Sequence, residues 1–139
     1  MPDALVRIRD FCGKYDSDAD PGLLCCAVAQ DTWAATPRHL LLVGVEDGQA
    51  VGHLLATIEE YYGNRVVMVA QLERDRNIGT LSDELYAEGI QQVVDWGKAL
   101  GAVGLRVWAR TDRVAKLFAR RLGFKPSPRV LMNLTFGGE

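Results

Sequence analysis

The sequence predicts an α/β (α+β) domain: two helices, an antiparallel meander, then a β-α-β-α-β run around one mixed sheet. Three observations carry this. Apolar periodicity is helical up to Pro37 and strand-like from Arg38 onward. Two glycine-bearing turns, at Asp47-Gly48 and Gly63-Asn64, separate three apolar runs. Beyond the third run, helix and strand signatures alternate to the end of the chain.

Asp3 can cap a first helix that carries Leu5, Ile8 and Phe11-Cys12 on one side, with Gly13 weakening its end. SDADPG (17 to 22) reads as a turn. Asp20-Pro21 then places a cap residue before a proline at the first helical position, opening a second helix from Gly22 to about Trp33 that Pro37 closes. Leu40 to Val45 and Ala50 to Tyr61 are strand partners across Glu46-Asp47-Gly48-Gln49. Arg65 to Leu72, apolar on both faces, is the central strand. Ser82 or Thr80 caps a long helix in which Leu85, Gly89-Ile90, Val93-Val94, Gly97 and Leu100 form one stripe, and Gly101 stops it. Val103 to Ala109 is a further strand. Asp112 caps a short helix with Val114-Ala115, Phe118 and Leu122 inward, Gly123 ends it, and Arg129 to Phe136 is a final alternating strand. One domain over 1–139 is expected, with a helical segment at 1–37 and the sheet and its helices at 38–136.

Composition narrows the function. The 139 residues are 48% hydrophobic and 24% charged with a net charge of -2, so a broad electrostatic grip on nucleic acid is not expected. Leu23 to Ala29 and Leu40 to Val45, the longest apolar runs, fall far short of the roughly 20 residues that cross a bilayer. No basic region followed by an apolar stretch opens the chain, which predicts no secretory leader. Cys12, Cys25 and Cys26 are odd in number, two of them adjacent, and read as small buried apolar residues in a reducing cytoplasm. With His39 and His53 as the only histidines and no CxxC, no metal site is expected.

One segment carries a family signature. VWARTDRVAKLFARRLGF (107 to 124) has a strand, then Asp112, then a short helix with Ala115 and Leu117-Phe118, then Gly123-Phe124. Trp96-Gly97 with Gly101 ends the preceding helix, and Gly52 stands in the second meander strand. Together with the element order, this resembles the GCN5-related N-acetyltransferases, the GNAT superfamily, over residues 38 to 136, about 70% of the chain.

The resemblance implies a splayed central strand pair that receives the pantetheine arm of acetyl-CoA. Here that slot falls between Val69 to Glu73, including Gln71 and Leu72, and Val107 to Ala109. It implies a phosphate loop at a helix N-terminus, whose free N–H groups suit an anion. RDRNIG aligns with it, giving Arg74, Arg76, Asn77, Ile78, Gly79 and Thr80 as cofactor residues. Asn77 replaces the first glycine of the pattern, and the seventeen residues from Gly79 to Trp96 exceed the usual spacing. Either the loop carries an insertion, or Arg74 and Arg76 are surface arginines on a solvated turn. Asp112, Arg113 and Lys116 lie where the CoA ribose phosphate would be held; the alternative, which the pattern favours, is a basic helix face in solvent formed by Arg113, Lys116 and Arg120.

The catalytic residues implied are Glu73 as first candidate for the general base, His53 as second, and Tyr86, Tyr61 or water as proton donor to the leaving thiolate. Phe118 occupies the place of the family's usual tyrosine and cannot donate a proton. For Glu73 the alternative is a strand-end carboxylate paired with Arg74 or Arg76, and for His53 a half-buried strand position. Glu59-Glu60 with Tyr61-Tyr62 either line a cationic amine pocket or form an exposed hairpin tip. The resemblance thus implies an acetyl-CoA-dependent N-acetyltransferase acting on a small-molecule or peptide amine. The alternative is a GNAT-fold module without catalysis, used for binding or assembly. Neither nucleic acid nor membrane is an expected partner. A homodimer is, because the chain lacks the family's usual first strand and leaves a sheet edge to be covered.

Overall fold

A computed structural model describes residues 2–15, 19–31, 34, 37–74, 83–108, 112–127, 134 and 136. The chain falls into two compact units, Met1–Trp108 and Ala109–Glu139. The first holds α1 (Pro2–Tyr15), α2 (Pro21–Asp31), β1 (His39–Glu46), β2 (Gln49–Tyr61), β3 (Asn64–Arg74), α3 (Asp83–Ala99) and β4 (Ala102–Val107). The second holds α4 (Asp112–Arg121).

Local chemistry sets most boundaries. Asp20 caps α2 through its side chain, Oδ1 accepting the Leu23 N–H at 3.1 Å, with Pro21 at the first helical position. α2 is described as far as Asp31; residues 32 and 33, over which the helix was expected to end, lie outside the described residues. The Asp31 carboxylate accepts the N–H groups of Arg38 (2.7 Å) and His39 (2.5 Å) at the start of β1. α1 runs through Gly13, a position with open space around it, and on to Tyr15. Asp47 (φ 50°) and Gly48 (φ 78°) make a two-residue turn with both central residues left-handed, the I′ geometry that matches strand twist. The second turn uses Tyr62 (φ 47°) and Gly63 (φ 87°), one residue earlier than expected. Glycine fits the second left-handed position of such a turn, so Tyr62 takes the first and Asn64 already pairs with Tyr61.

The sheet order is β1-β2-β3-β4, antiparallel through β3 and parallel between β3 and β4. α1 and α2 cover one face, where Ile8, Val28 and Leu55 are buried together with Leu5, Leu24, Cys25 and Leu41 packed around them. α3 covers the other face with Ile90, Val93 and Gly97. A Cβ on Gly97 would lie 2.6 Å from Val67 Cγ2, so only glycine lets α3 approach β3 this closely. Of the three cysteines, Cys12 is buried, Cys25 half-buried and Cys26 exposed, so the expectation of burial fails for Cys26.

β3 contains the irregularity that matters for function. Leu55 pairs with Gln71 and Ala56 with Val69, leaving Ala70 as an extra residue opposite the β2 ladder. Val67 faces α3, and Val69, two residues on, shares its side. With a period of two, residues 71 and 73 would face α3 as well. The bulge at Ala70 reverses the alternation, and Gln71 instead reaches the backbone of α1.

In the second unit, Phe118 is buried and its carbonyl accepts the N–H groups of Leu122 (3.1 Å) and Phe124 (3.2 Å) around Gly123 (φ 72°). The rings of Phe118 and Phe124 pack at 5.4 Å. Ala115, expected inward, is exposed, as are Lys116 and Arg120. The expected final strand, 129–136, lies outside the described residues apart from Leu134 and Phe136.

Candidate active site

The polar residues of β2 and β3 that face α1 form one buried cluster. His53 is directly opposite Glu73 in the β2–β3 register, and Gln71 is two residues away on the same face. His53 is 3% exposed and Gln71 2%. His53 Nε2 and Gln71 Oε1 lie 2.9 Å apart. The Gln71 amide donates in turn to the Ile8 carbonyl at 3.3 Å and to Cys12 Sγ at 3.4 Å. Arg7 Nε donates to His53 Nδ1 at 3.3 Å. These partners fix the tautomer, because Nδ1 must offer a lone pair to Arg7 and Nε2 must carry the proton given to Gln71. The Phe11 ring meets the imidazole edge-on at 5.8 Å.

His53 is accordingly held neutral. Burial lowers its pKa from the ordinary 6.5 as the main cause, with the Arg7 and Lys14 charges adding to it, and the Gln71 bond and Glu73 working against it. Both ring nitrogens are engaged, and the lone pair a base would use is held by Arg7.

Glu73 is the other end of the cluster. Its Oε1 lies 3.7 Å from Arg7 Nη2 and 3.9 Å from Lys14 Nζ, so the ion partners found for it come from α1. The Arg74 side chain and all of Arg76, which the sequence offered as partners, lie outside the described residues. The Glu73 side chain is only 14% exposed. Arg7 Nη2 and Glu73 Oε2 are both buried without a hydrogen-bond partner among the described residues. The ion pair thus has an unused donor on one member and an unused acceptor on the other.

Among the described residues β3 and β4 pair no further than Val69 and Val107, and β3 continues from Ala70 to Arg74. Val69 is the last β3 residue of that pairing, Gln71 lies in the α1-side network, and Leu72 is opposite Leu54. Tyr86 is in the first turn of α3, with its side chain outside the described residues, as are Asn77, Ile78, Gly79 and Thr80. Asp112, Arg113 and Lys116 belong to α4 in the second unit; Lys116 is exposed, and the side chains of the other two are not described.

The hairpin tip is excluded from this site. Glu59, Glu60 and Tyr61 pair with Val66, Arg65 and Asn64, at the far end of β2 from His53. Six residues of strand separate His53 from Glu59, roughly 20 Å at about 3.4 Å per residue. Glu60 pairs with Arg65 at 3.6 Å. Tyr61 is therefore too distant to donate a proton near Glu73. Arg7, Cys12 and Lys14 were missed from the sequence, although Arg7, Phe11 and Lys14 at i, i+4 and i+7 share one face of α1. Among the described residues, no three His, Cys, Asp or Glu side chains are grouped to hold a metal, and no helix is long and apolar enough to cross a membrane.

No family model matches the sequence, and no curated protein matches it by sequence. Solved structures do match in fold. AAC(6')-Iy in complex with the bisubstrate analog CoA-S-monomethyl-acetylneamine is similar at a TM-score of 0.68 and 17% identity, over 94% of this chain and 90% of that one. The aminoglycoside antibiotic 6'-N-acetyltransferase AAC(6')-IG from Acinetobacter haemolyticus gives 0.67 and 18%, over 97% and 94%. Ribosomal-protein-alanine N-acetyltransferase from Brucella melitensis biovar Abortus 2308 gives 0.63 and 13%, over 95% and 93%. The mixed sheet, with its bulged central strand, has the fold of the GCN5-related N-acetyltransferases.

Proposed function

We propose that this protein is a member of the GNAT superfamily and an N-acetyltransferase, moving the acetyl group of acetyl-CoA to a primary amine of a small molecule or peptide. One observation carries the reading: among the described residues β3 runs on from Ala70 to Arg74 beyond its last pairing with β4, Val69 with Val107. The arm of acetyl-CoA is assigned to that stretch of the strand. The thioester carbonyl is polarised by a backbone N–H near Leu72, and the amine attacks its carbon. The C–S bond breaks, and the amine gives up its proton to Glu73. Glu73 is preferred to His53 as proton acceptor because it retains an unpaired carboxylate oxygen, whereas the imidazole lone pair is occupied. His53 and Gln71 then serve to hold α1 and the strand end in place. Tyr86 or water returns a proton to the CoA thiolate. Arg74, Arg76, Asn77, Ile78, Gly79 and Thr80 are assigned to the CoA phosphates.

Acetyl-CoA should raise the melting temperature, since a ligand that binds the native state alone stabilises it. Incubation with a panel of amines should release free CoA thiol. Glu73→Gln should keep the thermal shift and lower turnover by about 10²–10⁴. No shift at millimolar acetyl-CoA overturns the reading. A second reading, a binding or assembly module without turnover, is favoured by the absence of any hydroxyl on Phe118 and by the two cations beside Glu73. Its signature is a thermal shift with no thiol release from any amine.

A further inference from the structure

Among the described residues β1 is the edge strand of the sheet. Arg38 O accepts the Ile58 N–H at 2.9 Å, and Leu40 and Leu42 pair with Ala56 and Leu54. The even-numbered residues of β1 therefore turn their backbone groups to β2, and the odd-numbered ones turn theirs outward. Asp31 takes the outward N–H of His39. Leu41, Val43 and Val45 present theirs with no strand beyond them among the described residues. From Leu40 to Val45 the strand contains no charge or proline, the usual devices that blunt an edge.

The two halves of this edge are complementary. Around its first half lies a cavity of about 270 Å³, lined by Val28, Pro37, His39, Leu40, Leu41 and Trp96 beside Asp31. Its second half carries two exposed valines, Val43 at 37% and Val45 at 55%. An antiparallel copy centred on Leu42 sets Val43 opposite Leu41 and Val45 opposite His39. All four side chains share one face. Each copy then brings its exposed valines to the other's cavity, and the outward backbone groups of Leu41 and Val43 meet those of Val43 and Leu41 in the second copy. The same register brings exposed Arg38 beside Glu46 of the second copy, on the other face. We infer that the chain forms a two-fold dimer through β1, joining two sheets into one. The dimer is independent of whether the proposed acetyl transfer occurs.

Sedimentation equilibrium of the chain at micromolar concentrations tests this, with circular dichroism melts to verify folding. The chain should be dimeric, and Val43→Lys should be a folded monomer. Arg38→Glu and Glu46→Arg should each weaken self-association about tenfold, because each places like charges opposite one another twice in the dimer. Mixing those two variants should restore dimerisation, since every cross-strand pair in the mixed dimer is again of opposite sign. Within one chain the two residues sit at opposite ends of β1, so recovery on mixing has no intramolecular origin. A monomeric parent chain, a Val43→Lys variant still dimeric, or a mixture no tighter than its components overturns the inference.

Discussion

The two faces of β3 are built from the same strand and obey different rules. Toward α3 the contact is dry and close, with Gly97 against Val67 and buried Ile90 and Val93 beside it. Toward α1 it is polar, running from Arg7 through His53 and Gln71 to the Ile8 carbonyl and Cys12. A dry face tolerates no extra volume but has no polar group to orphan. A networked face tolerates changes of size better than the loss of any single partner. One inserted residue, Ala70, lets a single strand serve both, and it does so directly after Val69, the last β3 residue paired with β4 among the described residues.

The most severe way to break this division is to delete Leu72, which pairs with Leu54 beyond the bulge. Regular alternation would then put Glu73 in its place on the α3 side, burying a carboxylate away from the Arg7 and Lys14 cations of α1. We expect a loss of more than about 4 kcal/mol in urea unfolding, among the largest single-site effects. A deletion variant within about 1 kcal/mol of the parent would show that the fold does not depend on which way Glu73 faces. Gln71→Leu attacks the networked face alone. It strips His53 Nε2–H and the Ile8 carbonyl of their partner and should cost about 1–3 kcal/mol, although leucine is the more apolar side chain. Gly97→Ala attacks the dry face. It should cost about 1–3 kcal/mol by overpacking, with most of the loss recovered in Gly97→Ala/Val67→Ala. A single variant that melts with the parent would mean that α3 has room to withdraw.

The mildest probe is pH. The His53 pKa lies lower in the folded protein than the ordinary 6.5, so below that pH the unfolded chain binds a proton that the folded one resists. Its contribution is intact above about pH 6.5 and declines as the pH falls from there toward the lowered folded value. Unfolding free energies of the parent and His53→Gln, measured from about pH 7 to about pH 5, should therefore diverge, the parent losing more. Parallel curves would place His53 in water.

The sequence made the element order legible because each element had a local cause: the Asp20-Pro21 cap, the Asp47-Gly48 turn, the glycine after α3. Where two local signals competed, as at Tyr62-Gly63-Asn64, the boundary moved by one residue. Glu73 and His53 were each identifiable as candidates, but their opposition across the ladder was not. That opposition depends on a bulge that Ala70 does nothing to announce, since a bulge is a property of two paired strands. Arg7 was harder still. On a helical wheel it looks like a solvent-facing charge, and only packing against β2 turns it inward.

Asp31 also bears on how the chain tolerates change. By gripping the N–H groups of Arg38 and His39, and lying 3.1 Å from His39 Nδ1, its carboxylate clamps the end of α2 to the start of β1. The entry point of the first strand is therefore fixed by a side chain and not by the length of residues 32–37. A peptide tag or a protease site introduced in that stretch would sit outside the clamp. The cut ends would remain moored on either side of it, which makes this junction a place to open the chain without unthreading the sheet.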